Sequence, residues 1–242
     1  MRLIYDGSFE GFLSLVYEVY YKKIDVDSIY KTTPESLFNN DIITIETNII
    51  NASKVFDALK NKFHKQYFEN IATIFMCDSK DFELDLLRYI IIGFKDQKQL
   101  ENITLESVFV IKNYLKEYFR HHHKMTGFVR FVELEDGTLY AKIETKFNIV
   151  YHLGKHFLQR FNNQKYIIHD KKRKIAFIKN EHFVGVQEVS SFEEPIVSVH
   201  EEKFAKLWCK FFDAVSIESR KNEKLQKQWV PLLYREFMTE FS

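Results

Sequence analysis

Histidine is the residue type whose spacing offers this chain the most chemistry. His121–His123 are three consecutive histidines, and His152 and His156 stand four residues apart. Consecutive residues of a helix point about 100° apart, so the triplet cannot converge on one ion. The i, i+4 pair shares a helix face, as in zinc proteases, but Leu153 occupies the place of the general base. The sequence therefore predicts no metal site.

His169 and Asp170 are a second candidate, because a histidine beside a carboxylate can act as a general base. They stand at the mouth of a predicted hairpin, where Asp170 would alternatively open the turn. One hypothesis is a nucleotide- or base-processing enzyme in which His123, His156 and His169, with Asp170, line a pocket. His156 also falls on the apolar stripe of its predicted helix, and the alternative for His152 and His156 is one buried, hydrogen-bonded histidine and one surface histidine. No G-x-S-x-G motif and no cysteine beside a histidine indicates a nucleophile.

The cysteines and the apolar runs bear on cofactor and compartment. Cys77 and Cys209 are the only cysteines and form no C-x-x-C motif, which argues against an iron–sulfur cluster, a zinc ribbon or a disulfide scaffold. The first residues turn polar too soon for a signal peptide, and no run of apolar residues is long enough to span a membrane. We expect a cytoplasmic protein with reduced thiols, no cofactor and no contact with a membrane.

Phosphate recognition in this chain cannot rely on glycine loops. The 242 residues include only 7 Gly and 3 Pro, and no glycine spacing forms G-x-G-x-x-G or G-x-x-x-x-G-K. The net charge is +1, but residues 142–179 contain ten basic and two acidic residues. A basic surface with interleaved aromatics suits a nucleic-acid backbone, and Tyr140, Tyr151 and Tyr166 are candidates for stacking on unpaired bases. The alternative is an ordinary solvated face, since lysines also protect the edges of sheets.

A polar, cationic stretch, residues 220–226, extends the candidate surface, although cations at a helix C-terminus are also favoured by its dipole. The residues that we predict to contact nucleic acid are Lys124, Arg130, Lys155, Arg160, Lys171, Lys172, Arg173, Arg220, Asn222 and Lys224.

The first half of the chain must be mainly helical to position these residues. Strands are predicted at 2–5 and 42–45. Five helices are expected, beginning at Ser8, Asn51, about residue 66, Ser79 and Thr104. Phe119 lies on the apolar stripe of the last one.

After Met125 the pattern alternates with period two, and Asp136-Gly137 indicates a hairpin turn. A helix over 148–161 and a second hairpin over 166–178 follow, giving an antiparallel β-β-α-β-β unit. Residues 181–202 are predicted to be a surface connection. Ser198 and Glu201 form a capping box for a helix with one apolar stripe: Phe204, Leu207, Trp208, Phe211 and Val215.

The predicted fold class is therefore α+β: a helical N-terminal half, the antiparallel sheet unit and a C-terminal helix. The expected division is a mainly helical region, 1–124, and a sheet unit with C-terminal helix and tail, 125–242, or one continuous domain.

Four stretches in this order carry a family resemblance that covers nearly the whole chain. They are Tyr5–Phe12, reading YDGSFEGF; His123–Phe131, reading HKMTGFVRF; Leu153–Phe161, reading LGKHFLQRF, with Ile168–Asp170 after it; and Arg220–Gln226, reading RKNEKLQ, with Pro231 and Tyr234. Together they resemble a bacterial family of unknown function whose members are described as probable DNA-metabolism proteins. The family's final motif has a basic residue before its tyrosine and an aromatic after it, whereas here Leu233 and Arg235 flank Tyr234.

The resemblance implies a partner. Genes of this family tend to lie beside a radical S-adenosylmethionine (radical SAM) protein described as a DNA modification or repair enzyme, and some members are fused to a uracil-DNA-glycosylase-type domain. The chain lacks the three clustered cysteines that a radical SAM enzyme needs, so its partner would supply that chemistry. The leading hypothesis is a DNA-metabolism accessory protein, active in repair or modification, that binds DNA and assists a radical SAM protein. The alternatives are the enzyme described above and a protein–protein adaptor without DNA contact.

Overall fold

The computed structural model describes residues 1–32, 42–78, 81–189 and 195–241. Helices and sheets are both present, which confirms the α+β class and the helical N-terminal half. The chain divides into two compact units, Met1–Glu117 and Tyr118–Ser242, and the division falls inside one long helix. The predicted division after residue 124 lies within the same helix and stays a prediction.

The first unit contains a three-stranded parallel sheet with β1 in the centre. Its strands are β1 (Arg2–Ile4), β2 (Ser28–Tyr30) and β3 (Ile42–Thr44), in the order β2-β1-β3. The helices around it are α1 (Phe9–Lys22), α2 (Ile49–Lys62), α3 (Lys65–Met76), α4 (Glu83–Lys95) and the start of α5 (Glu106–Phe128), with a short 3₁₀ helix at Gln97–Glu101. The core consists of aliphatic and aromatic side chains from the sheet and the helices, among them Leu3, Phe12, Leu15, Leu59 and Ile90.

Two of the predicted helix starts can be compared with cap geometry. Ser8 caps α1 as predicted, because its Oγ accepts a hydrogen bond from Gly11 N at 2.9 Å. Asn48, rather than Asn51, caps α2, because the Asn48 side chain accepts from Asn51 N at 3.1 Å. The predicted start at Ser79 lies outside the described residues.

The second unit is built on a five-stranded sheet in chain order. Its strands are β4 (Val132–Glu133), β5 (Leu139–Ile143), β6 (Tyr166–Asp170), β7 (Ile175–Lys179) and β8 (Val184–Glu188). The predicted turn is present: Gly137 has φ 77°, a left-handed conformation that glycine adopts without strain, and its N–H donates to Leu134 O at 2.9 Å.

The sheet differs from the prediction at three points. β5 and β6 are parallel, with Tyr140 paired to Ile167, so the unit is not antiparallel throughout. The reason is α6 (Val150–Arg160), which connects the two strands as a crossover, and a crossover returns the chain in the same direction. β4 begins only at Val132 because α5 continues to Phe128, and the predicted surface connection contains β8, which pairs with β7.

Helix α6 packs tightly on one face of the sheet. Gly154 permits this, because a Cβ at that position would lie 2.1 Å from Cγ of Phe177 on β7. Tyr166 on β6 donates its hydroxyl to Gly154 O at 2.8 Å. The buried face of α6 is thus fixed against the sheet, and its other face is left to solvent.

The chain ends with α7 (Glu201–Val215), α8 (Glu223–Trp229), α9 (Leu232–Arg235) and two 3₁₀ turns, Glu218–Arg220 and Thr239–Phe241. The predicted C-terminal helix is confirmed, but its capping box is not formed: Glu201 accepts from Glu133 N at 2.9 Å, and α7 has His200 as its N-cap without a side-chain bond. Within the described ranges, no helix is both long and apolar enough to cross a membrane.

Candidate nucleic-acid interface

The two helical segments of the second unit that lie side by side carry no acidic residue. The last turns of α5 and the whole of α6 fall within residues 118–131 and 145–169, where no Asp or Glu occurs. Tyr118 on α5 joins the helices through a hydrogen bond of 2.7 Å between its hydroxyl and Nδ1 of His152. We call the surface formed by these helices the α5/α6 face, and its members are Phe119, His122, His123, Tyr151, His152, Lys155, His156 and Arg160.

Two aromatic side chains of this face point into solvent. Phe119 is 44% exposed and Tyr151 is 40% exposed. The imidazole of His152 lies between them, with its ring centroid 6.1 Å from that of Phe119 and 5.4 Å from that of Tyr151. The ammonium of Lys155 lies 5.4 Å from the Tyr151 ring centroid. The surface therefore combines cations with accessible aromatic rings.

The face has a row of imidazoles along the contact between its helices. His122 lies between α5 and α6, with ring centroids 6.2 Å from His152 and 6.4 Å from His156. Burial lowers the pKa of His122, and His156 and His123 add to the effect. Of this pair, one histidine is hydrogen-bonded and partly buried and the other is exposed, as the structural alternative expects. The hydrogen-bonded residue is His152, and the placement of His156 on the apolar stripe is wrong, because His156 is exposed.

His121 lies deeper, away from this row. Its Nδ1 is 3.4 Å from the hydroxyl of Tyr234, and its ring packs against Phe147. Burial, followed by the positive charges of Lys146 and Lys124, lowers the pKa of His121 to about 4. Among the described residues, neither His121 Nε2 nor His122 Nε2 finds a hydrogen-bond partner.

The structure does not bring the three catalytic candidates together. His123 and His156 are exposed on helices, whereas His169 is buried on β6 with its Nδ1 2.9 Å from the hydroxyl of Tyr140. Alternate residues of a strand face opposite sides, so His169 points away from the face of the sheet that α6 covers. Burial lowers the pKa of His169. In the part of the chain that the structure describes, no group of three or more metal-binding side chains is present.

Asp170 and Arg173 form a buried ion pair that shapes the β6–β7 turn. The Asp170 carboxylate, with no exposed area, accepts from Arg173 N at 3.2 Å and from its guanidinium at 2.8 Å. The guanidinium also donates to Thr145 O and Lys146 O, both at 3.0 Å. These bonds favour the turn-forming alternative for Asp170, and they engage the donors that we expected Arg173 to offer to phosphate.

Arg130 is engaged in the same way. Its guanidinium donates to both carboxylate oxygens of Glu240, at 3.0 and 2.5 Å, and lies 5.2 Å from the ring of Trp208. Burial raises the pKa of Glu240, but hydrogen bonds from Arg130 and Trp208 outweigh it and leave that pKa lowered. This bidentate pair ties the end of the chain to the start of the sheet.

The other predicted phosphate contacts lie at the surface. Lys171 and Lys172 are exposed in the β6–β7 turn, next to the partly buried Arg173. Lys124 lies 5.7 Å from the ring of Trp229. The remaining residues are exposed on α6 or near α8: Lys155, Arg160, Arg220, Asn222 and Lys224.

Asn222 stabilises the start of α8: its Oδ1 accepts a hydrogen bond from Leu225 N at 2.9 Å and so caps the helix. Two predicted stacking residues are wrong: Tyr140 and Tyr166 are 2% and 0% exposed, because both rings lie against the sheet. Tyr151 alone of the three tyrosines is accessible.

A cavity of about 800 Å³ lies on the sheet face opposite α6. Tyr140, Lys142 and Lys171 line one side, and the first turn of α7, with Glu201 and Glu202, lines the other. Its lining contains charged groups of both signs, whereas the members of the α5/α6 face include no carboxylate.

The apolar stripe of α7 is not a core stripe. Phe204, Leu207 and Phe211 are all more than half exposed, and α7, which is described throughout, buries none of its residues. A groove of about 570 Å³ separates this stripe from Phe131 and Leu139. The sequence predicted the stripe but not its exposure.

Sequence reasoning missed Phe119 and His122 as members of the interface. The helical spacing predicts Phe119 as part of the apolar stripe of α5, and the basic segment apparent in the sequence, residues 142–179, does not include α5. The sequence signal that identifies both residues is the absence of acidic residues from 118–131. The end of α5 shares this property with α6.

Comparison with known proteins adds one match. A family model described as a domain of unknown function (DUF4130) matches residues 80–240, which is more than half of the chain. No curated protein matches the sequence.

Proposed function

The chain belongs to the DUF4130 family of domains of unknown function, and we propose that it is an accessory protein of DNA metabolism that binds nucleic acid through its second unit. The observation that carries the proposal is the α5/α6 face, where cations and exposed aromatic rings occur together over two acid-free segments.

The chemistry of the face suits a polyanion. Lys155 lies about one turn along α6 from Tyr151 and Arg160 about two and a half turns, so their positive charges are distributed along the length of the helix. Neither side chain has a carboxylate near it in sequence, and cations of this kind release the counterions condensed on nucleic acid. Arg130 and Arg173 contribute by holding the sheet and its turn in place, since their donors are engaged within the protein.

Fluorescence anisotropy with labelled DNA across a range of salt concentrations tests the proposal. The association constant should fall linearly on a log–log plot as salt increases, and replacing both Lys155 and Arg160 by Ala should reduce the slope by about 1.4 for a single strand to about 1.8 for a duplex. A matched control replaces Lys60 and Lys62, two exposed lysines on α2 in the other unit, and should leave the slope unchanged. No binding at low salt, or an affinity indifferent to salt, would refute the proposal.

The exposed stripe of α7 favours a second activity, the binding of a protein. Lys203, Lys206 and Lys210 run along one side of the stripe, so the complementary surface is apolar with an acidic rim. We propose that the radical SAM protein implied by the family resemblance occupies it, and that the chain brings this enzyme to nucleic acid.

A pull-down with the neighbouring gene product, with and without nuclease, tests the second activity. The double variant Leu207→Asp/Phe211→Asp should lose the partner and keep its affinity for DNA, because both side chains are exposed and distant in sequence from α6. Capture that disappears on nuclease treatment, or that survives the double variant, would contradict a direct contact through α7.

A further inference from the structure

The exposed rings of the α5/α6 face are unusual for a surface that binds only phosphate. A duplex presents its phosphates outward and keeps its base planes stacked inside, so an exposed aromatic ring can stack on its bases only after base steps are unstacked, at a cost of a few kcal/mol per step. Single strands offer base planes that stack on aromatic side chains, whatever the base. Phe119 and Tyr151 are exposed beside cations, and the geometry therefore fits an unpaired strand better than a duplex.

Tyr151, His152 and Phe119 form a second row of rings along this face. They meet edge to face, with the plane of His152 at 82° to Tyr151 and at 79° to Phe119, so Tyr151 and Phe119 offer separate ring surfaces and not one stacked series. The centroid of His152 lies 6.1 Å from Phe119 and 5.4 Å from Tyr151, while the hydrogen bond from Tyr118 fixes the imidazole between them. Because His152 and Tyr151 are neighbours on a rigid helix and Phe119 is on the helix packed beside it, the row is formed before any ligand arrives. A preformed platform reduces the entropy that is lost on binding.

Lys155 connects the row to the backbone of the strand. Its ammonium lies 5.4 Å from the Tyr151 ring centroid. A base that takes the ring face displaces this ammonium, which can then contact the phosphate of the same nucleotide. Arg160 follows on the same helix, so the backbone can run along α6 while bases turn toward the row.

We infer that the α5/α6 face binds single-stranded nucleic acid, with bases stacked on Tyr151 and Phe119 and the backbone held by Lys155 and Arg160. The inference rests on the proposed function, and it names the form of nucleic acid that this surface takes. The recognition is sequence-tolerant, because every base has a stacking face.

Anisotropy with a labelled mixed-sequence DNA strand, alone and annealed to its complement, tests the inference in the full-length protein. Wild type should bind the single strand more tightly than the duplex. Tyr151→Ala and Phe119→Ala should each weaken binding of the single strand about 5- to 100-fold with an unchanged salt slope, because a ring releases no counterions. Tyr151→Phe keeps the ring and should bind as wild type does.

The outcomes separate the inference from the function on which it rests. If neither form of DNA binds at low salt, both the proposed function and the inference are wrong. If DNA binds but the duplex is preferred or equal, or if Tyr151→Ala weakens duplex and single strand alike, the function stands and the inference is refuted. The thermal unfolding midpoint of each variant should equal that of the wild type. This control shows that the substitution removes an exposed ring without disrupting the fold.

Discussion

Acidification should destabilise the second unit through His121. The ring packs against Phe147 and faces Tyr234, while Lys146, Lys124, Arg173 and His122 all oppose a further positive charge on it. Burial and these charges lower its pKa to about 4, from the value of 6.5 that applies to an exposed histidine. Between pH 6.5 and pH 4, His121 is protonated in the unfolded chain and neutral in the folded chain. The free energy of unfolding therefore falls as the pH decreases from about 6.5 toward 4.

The size of the effect follows from the pKa difference. Each pKa unit corresponds to about 1.4 kcal/mol, so a shift from 6.5 to about 4 sets an upper value of roughly 3.4 kcal/mol. Because the ring is only partly buried, solvent screens part of the interaction, and we expect about 2 kcal/mol. At pH values well above 6.5 the histidine is neutral in both states and contributes nothing to the pH dependence.

Urea unfolding at a series of pH values between 7.5 and about 4.5 measures this effect. His121→Phe removes the titrating group and keeps a ring beside Phe147, so the difference in unfolding free energy between variant and wild type should shift by about 2 kcal/mol over that range. His123→Gln, which removes the exposed histidine of the same triplet, is the control. Parallel stability curves for wild type and His121→Phe would show that the ring is not desolvated as the structure indicates.

Three further substitutions test the packing of the second unit. Gly154→Ala should cost about 1–3 kcal/mol in urea unfolding, because its Cβ would lie 2.1 Å from Cγ of Phe177, and a neutral result would mean that α6 does not sit closely on β7. Arg173→Ala should cost about 3–5 kcal/mol by the same measurement, since it leaves the buried carboxylate of Asp170 without its partner; a stable variant with weakened DNA binding would instead identify Arg173 as a phosphate contact. Gly137→Ala should cost about 1 kcal/mol of thermal or urea stability, because its φ of 77° strains any residue with a Cβ, and an unchanged midpoint would exclude this turn conformation.

The fold could be predicted wherever the deciding interactions are local. The cap at Ser8 and the turn at Gly137 each depend on residues within four positions of one another, and both are present. The parallel pairing of β5 and β6 depends instead on α6 carrying the chain back to the end of the sheet at which β5 began, and two short alternating strands have the same pattern in either direction. Periodicity alone therefore gave the elements but not this pairing.

The candidate site was predictable in its charge and not in its geometry. The cationic segment can be recognised from the composition of the sequence. Arg130, however, pairs with Glu240, which is 110 residues away in sequence, and no local pattern predicts that bond. Because side chains alternate between the two faces of a strand, the sequence shows that Tyr140 and its neighbours lie on opposite faces of the sheet. It does not show which of the two faces is buried. In the same way, the stripe of α7 identifies an apolar face without saying whether anything covers it.

The crossover at α6 also sets the order in which the second unit can fold. β4–β5 and β6–β7–β8 each join by short turns, so both hairpin sets are local and close rapidly. Among the strand pairs of this sheet, β5 with β6 spans the largest separation in sequence, because the whole of α6 lies between them, and we expect this pairing to form after the two local sets. Substitutions at Gly154 should therefore change the folding rate of the sheet, whereas those on the solvent side of α6 should not. Charged and aromatic residues on the solvent side of α6 can therefore be substituted without a change in the folding rate of the sheet.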